Sequence, residues 1–207
     1  MNTKPFSKDD VEIIKRETVY QGYFAMEKLQ LRHRLFAGNW SHTLVREVFI
    51  RGLAVAALLY DPQRDEVVML EQFRAGALTD PRSPWLIELV AGIMEKDEVI
   101  QDVVQREIQE ETGLVALDME AICEYWVSPG CSTERVALYC VRVDASKAGG
   151  LHGLAIEGED IRVEAMSFAK AYGLIAKGII TNAPTIIALQ WLQLHHKHLL
   201  SQWSVNV

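Results

Sequence analysis

Long apolar runs are missing from this chain. None approaches the roughly 18 residues of a membrane-spanning helix, and the most apolar stretch, residues 53–60, is far too short. Cysteine is scarce: Cys123, Cys131 and Cys140 are the only three, and their spacing fits no zinc site. They read as reduced, mostly packed thiols of a cytosolic protein. Basic charge is in deficit, with 21 Lys and Arg against 28 Asp and Glu and a net charge of −7. That argues against a nucleic-acid-binding surface, which needs a basic stripe. It does not exclude a small phosphorylated substrate, because a metal ion and a few local arginines can reverse the sign of one cleft. The opening ten residues lack the apolar core of a secretion signal. Internal repeats and low-complexity segments are also lacking.

What is present is an ordinary globular composition, 49% hydrophobic and 24% charged over 207 residues. That length buries a proper core and suits one domain with an extension or two. Residues 28–36 alternate cleanly, Leu29, Leu31, His33 and Leu35 on one side and Lys28, Gln30, Arg32 and Arg34 on the other, which predicts a strand. Residues 19–25 predict another ahead of it, and residues 36–42 a loop. Strands follow at 45–50 and 53–60, then a turn at 61–65 and a returning strand at 66–73. Residues 85–90, 121–127, 135–144 and 161–168 complete the strands. Helices are expected at 169–176 and 183–200, the second with Asn182 as cap and Pro184 in its first turn. His195, His196 and His198 do not share one helical face, and they fall at a helix end that favours cations rather than in a metal cluster. This order predicts an α/β fold, a mixed sheet flanked by helices, behind an amino-terminal strand extension. A strand pair alone is marginally stable, so the extension needs a surface to add to, its own domain or a second subunit.

The middle of the chain carries the chemistry. Val99, Ile100, Val103, Val104 and Ile108 recur at helical spacing, which predicts an amphipathic helix over residues 97–112, closed by a left-handed cap at Gly113. Glu107, Glu110 and Glu111 then crowd one face of its last turn. Like charges four residues apart repel by about 0.2–0.5 kcal/mol. The negative end of the helix dipole opposes each by a further ~0.3–1 kcal/mol. A hard divalent cation is the natural complement to such a cluster.

Gly92, Glu98, Arg106, Glu107, Ile108, Glu110, Glu111, Gly113 and Leu114, at these intervals, resemble the defining signature of the Nudix hydrolases. The resemblance implies an α/β/α sandwich and hydrolysis of a nucleoside diphosphate linked to another group. Further likeness points to the ADP-ribose pyrophosphatase branch of that family. It rests on Pro129, sixteen residues beyond Gly113, on Gln21 to Phe24, on Glu71-Gln72-Phe73-Arg74, on residues 154–162 and on residues 188–196. The family unit is expected over residues 46–207, with residues 1–45 forming strands that make a dimer.

The resemblance implies a role for each matching residue. Glu107 and Glu111, with the backbone carbonyl of Ala91 and with Glu159, are expected to hold Mg2+, with Mn2+ a possible substitute. Glu157 is implied as the base, on a loop that Gly149, Gly150, Gly153 and Gly158 make flexible. Arg106 is expected to pair with Glu98 and hold the loop to the helix, and Glu110 to orient the metal ligands. Arg51 and Arg74 suit phosphate oxygens, and Ile93 lines the substrate. Tyr23 or Phe24 suits adenine, with Arg46 and Glu47 nearby, in relatives supplied by the partner subunit. Ser128, Pro129, Gly130 and Glu134 suit the terminal ribose. The expected assembly is a two-fold homodimer with exchanged amino-terminal strands. Two rivals remain at this point: a Nudix hydrolase acting on nucleotide-sugars or NADH-like dinucleotides, and a Nudix domain that senses a ligand without cutting it.

Overall fold

A computed structural model describes residues 6–203, apart from the side chain of Glu157. The chain forms two compact units, one from residues 1–52 with 126–134 and one from residues 53–125 with 135–207.

The first unit is a three-stranded antiparallel sheet of β1 (Val11–Gln21), β2 (Ala25–His33) and β3 (Leu44–Ile50), in that order. The sequence reading placed the first two strands at 19–25 and 28–36. The structure moves both and makes the first one longer. The reason lies in the register: β1 and β2 slip between Ile13 and Lys15 and again between Thr18 and Tyr20. Each slip shifts the side-chain alternation by one residue, so no period-two pattern survives along β1. Residues 22–24 make the turn where a strand end was expected, closed by the Gly22 N–H donating to the Phe24 carbonyl at 2.8 Å.

The second unit is built on an eight-stranded mixed sheet. Its strands are β4 (Leu53–Asp61), β5 (Glu66–Phe73), β6 (Trp85–Glu88), β7 (Val90–Ile93), β8 (Asp118–Trp126), β9 (Arg135–Arg142), β10 (Gly150–His152) and β11 (Ile161–Ser167). The main order is β10-β11-β5-β4-β9-β8, with β4 and β9 parallel. Helix α1 (Ile100–Thr112) covers one face. Helices α2 (Phe168–Ala176) and α3 (Ala183–Trp203) cover the other. The alternation of β4 splits the core accordingly. Val55, Ala57 and Leu59 lie under α1 with Val103, Val104 and Ile108, while Ala56, Leu58 and Tyr60 lie under α3 with Ala188, Leu189 and Leu192. Burying each large aliphatic side chain contributes about 1.5–3 kcal/mol. The unit is thus an α/β/α sandwich.

One detail of the sheet positions everything that follows. β4 and β5 pair only near their turn, from Leu59 opposite Val68 to Asp61 opposite Glu66. Beyond that they part, and the chain from Trp85 to Ile93 fills the fork: β6 adds to β5, and β7 adds to β4. The single strand expected over 85–90 is therefore two, interrupted at the buried Leu89.

Two smaller expectations are corrected. Cys140 is buried, but Cys123 and Cys131 are exposed, so the thiols are not mostly packed. Helix α1 begins at Ile100 rather than 97, because Asp97 sits at φ 70°, outside the helical region, and Val99 remains extended. No helix among the described residues is long and apolar enough to cross a membrane.

Asp61 ties the turn between β4 and β5 to the edge of the core. Its carboxylate accepts the N–H groups of Gln63 (2.9 Å), Arg64 (3.3 Å) and the buried Ala145 (2.9 Å). Asp61→Ala leaves the Ala145 donor without a partner, which costs about 1–3 kcal/mol. Urea denaturation is expected to show a midpoint lowered accordingly with an unchanged slope; an unchanged midpoint contradicts this role.

Candidate active site

The acidic helix end is seated in the fork of the sheet. Helix α1 presents Val103, Val104 and Ile108 to the core, which directs its last turn towards β7. Gly113 then stops the helix in the left-handed region, φ 68°, with its N–H bonded to the Gln109 carbonyl at 3.0 Å. The Thr112 hydroxyl donates to the Ile108 carbonyl at 2.6 Å and accepts the Leu114 N–H at 3.2 Å, which holds this end rigid.

Glu111 is 2% exposed, and one carboxylate oxygen accepts the Ala91 N–H of β7 at 3.0 Å. Burial pushes its carboxyl up to about 8, with the charges of Glu107 and Glu159 adding to the rise and the Ala91 N–H and Arg74 opposing it. Burial also raises Glu107, helped by Glu110 and Glu159 and opposed by Arg106. Gly92 makes the close approach possible: a Cβ there would lie 1.8 Å from Glu107 Oε1, so no larger residue fits without displacing that carboxylate.

Arg106 is the cation of the cluster. It reaches Glu107 at 2.8 Å, Glu98 at 3.4 Å and Glu110 at 3.5 Å. Glu98 in turn accepts the Glu95 N–H at 2.7 Å, so the arginine does tie the preceding loop to the helix. Glu159 accepts the Leu154 N–H at 3.2 Å on the loop before β11. Glu157 ends a short 3-10 turn in the same loop, and its side chain lies outside the described residues. Arg74, at the end of β5, is held by Glu88 of β6 at 2.7 Å. Ile93 is half-buried in β7 opposite Ala54.

The other expected residues lie in the first unit. Arg51 pairs with Glu134 at 3.2 Å, and its guanidinium lies over the rings of Phe24 (4.4 Å) and Phe49 (5.9 Å). Thr133 brackets the Arg51 backbone, accepting its N–H at 2.8 Å and donating to its carbonyl at 2.6 Å. Ser128, Pro129 and Gly130 form a turn in which the Ser128 carbonyl accepts the N–H groups of Cys131 and Ser132. Tyr23 stands 86% exposed, edge-on to Phe24 at 4.7 Å. Arg46 and Glu47 are exposed on β3. Phe24, Arg51 and Glu134 thus meet, beneath Tyr23. Arg46 and Glu47 make no side-chain contact with that group among the interactions described.

Sequence reasoning missed Glu88, Phe49 and Thr133. Glu88 stands opposite Leu70, on the α1 face, and meets Arg74 because β6 pairs with β5, which no local pattern shows. Phe49 and Thr133 act through pairing across the chain that no local pattern carries. The histidines are structural: His196 pairs with Asp65 at 2.7 Å, and His195 stacks on Trp191.

Among the described residues no three acidic, histidine or cysteine side chains already converge as a ready-made ion cage. The donor set nonetheless fits a hard divalent ion. The buried Glu111 and the half-buried Glu107, one helical turn apart, need a cation, and the glycine opposite leaves them room. This is the class of α/β/α enzyme whose site is an acidic helix end docked on a glycine strand. The comparisons agree: residues 50–189 match the NUDIX domain, and the chain belongs to that family. It is 48% identical over 199 residues to an ADP-ribose pyrophosphatase of Escherichia coli, covering 96% of this chain and 95% of that protein. A GDP-mannose pyrophosphatase of Cronobacter sakazakii is 32% identical over 197 residues, covering 89% and 96%. A solved structure described as an ADP compounds hydrolase superposes with a TM-score of 0.71 at 18% identity, covering 97% and 98%, which shows the shared fold.

Glu111 supplies a test without substrate. Its folded-state pKa lies above the ordinary 4.5, so the folded chain holds a proton that the unfolded chain releases between about pH 4.5 and 8. Its contribution to stability is therefore present at low pH and is lost as pH rises through that window. In a chelator, Glu111→Gln is expected to melt above the parent protein at pH 8 and level with it near pH 5. A variant that melts lower at both contradicts the assignment.

Proposed function

We propose that this chain is a magnesium-dependent ADP-ribose pyrophosphatase that releases AMP and ribose 5-phosphate. The observation that carries the reading is the Glu107–Glu111 pair seated against Ala91 and Gly92, in a chain that matches relatives of that name over almost its whole length. Magnesium would be held by Glu107, Glu111, Glu159 and the Ala91 carbonyl, with manganese a possible substitute. When bound, it lowers the pKa of a coordinated water and neutralises phosphate charge.

The chain's own groups do the rest. Glu157 accepts the proton of the attacking water as its oxygen bonds to phosphorus and the bridging P–O bond breaks. Arg106 keeps the loop on the helix, and Glu110 orients the ligands through it. Arg74 and Arg51 exchange Glu88 and Glu134 for phosphate oxygens. Tyr23 or Phe24 stacks on adenine, with Arg46 and Glu47 nearby, Ser128, Pro129, Gly130 and Glu134 hold the terminal ribose, and Ile93 lines the substrate. The glycine-rich loop that carries Glu157 closes over the substrate and excludes water.

The assembly follows from the first unit. β1 is exposed along its whole length, and Val11, Ile13, Ile14, Val19 and Tyr20 present apolar surface to solvent. A monomer rarely keeps such a patch uncovered. The proposal is a homodimer with exchanged amino-terminal strands, working in the cytoplasm. Sedimentation is expected to give a dimer, converted to monomer by Ile13→Lys with Val19→Lys; a monomeric parent protein contradicts it.

Product analysis in oxygen-18 water tests substrate and chemistry together. ADP-ribose is expected to yield AMP and ribose 5-phosphate, one of them labelled. Glu111→Gln should abolish turnover, and Glu157→Gln should lower it by about a hundred- to ten-thousandfold while retaining magnesium. A preference for a hexose-linked nucleoside diphosphate moves the reading to nucleotide-sugars, and an active Glu157→Gln rejects the base.

A further inference from the structure

Gln72 has no place in the roles above. It lies in β5, where alternation puts Val68, Leu70 and Gln72 on the α1 side of the sheet: Val68 and Leu70 belong to the core under α1, Val67 and Met69 to the core under α3. It therefore shares a face with Arg74, two residues on, and with Leu86 and Glu88 of β6, which stand opposite Gln72 and Leu70. Arg74 binds Glu88, and α1, whose last turn carries Glu107 and Glu111, packs on this same face against Val68 and Leu70.

Gln72 is 5% exposed, and its Nε2 is buried without a hydrogen-bond partner among the described residues. An amide nitrogen carries two donors. Folded proteins satisfy nearly all such groups, because an orphaned buried donor weakens the fold. On its own face Leu86 is apolar, Glu88 accepts from Arg74 and Glu111 accepts the Ala91 N–H, and none of them accepts from Gln72. The chain keeps a neutral donor at a destabilising position beside its reaction centre.

We infer that Gln72 is a substrate-holding residue, whose carboxamide N–H donates to a pyrophosphate oxygen of the nucleoside diphosphate cleaved on this face. The residue type fits the place. A lysine here would bury a cation without a partner, and a glutamate would repel both phosphate and Glu111. An amide gives the anion a donor without adding charge to the free protein. The inference rests on the pyrophosphatase reading above for the identity of its ligand.

Gln72→Leu and Gln72→Glu test it. The leucine variant removes the orphan, so its ligand-free melting temperature is expected to equal or exceed that of the parent protein. Its kcat/KM for ADP-ribose is expected to fall about ten- to a hundredfold, the worth of a hydrogen bond to a charged acceptor. The glutamate variant keeps the side-chain length, replaces donors with acceptors and is expected to lose more. Gln72→Leu with unchanged kcat/KM overturns the inference. So does a lowered melting temperature with unchanged activity per folded molecule, which marks a structural amide, and so does a fully active Gln72→Glu. If the parent protein prefers another nucleoside diphosphate derivative, the ADP-ribose reading fails, and the same ratios measured on that substrate decide Gln72 separately.

Discussion

The contact on which the rest depends is the seating of Glu107 and Glu111, at the negative end of α1, against Ala91 and Gly92. Helix dipole, mutual repulsion and burial all act against two carboxylates there. The fold meets part of that cost itself, with Arg106 against Glu107 and the Ala91 N–H against Glu111. The remainder is a standing affinity for a divalent cation. Stability has been given up at one place, and binding energy is what that place returns.

The fork in the sheet makes this contact possible. A regular sheet would have bonded β4 to β5 along their whole length and closed the surface. Their separation lets β6 and β7 enter side by side, which brings Arg74 and Glu88 to one arm and Ala91 to the other. The candidate site thus draws on two strand arms and a helix end, with Glu159 added from the loop before β11.

The helix end was legible because its signal is local. Apolar spacing, the cap at Gly113 and the acidic intervals all lie within residues 92–114, and the structure moves only the helix start, where Asp97 leaves the helical region. The sandwich was legible too, from the order of strand and helix runs, with the apolar run of β4 at the middle of the sheet. What could not be read depends on pairing. Two register slips erased the pattern of β1, the alternation that runs on through Leu89 disguised two strands as one, and Glu88 and Thr133 meet their arginines across the chain, while Phe49 is set by its bonds to Cys131 and Thr133. The orphaned amide of Gln72 is of this kind: in sequence it is one polar residue in a strand, and only burial gives it meaning.

Titration calorimetry with Mg2+ on the parent protein and on Glu111→Gln tests the central claim most directly. The account predicts saturable binding to the parent protein, with proton release that grows as pH falls below 8, and loss of that binding in the variant. A parent protein that binds no magnesium, or two indistinguishable isotherms, would contradict it.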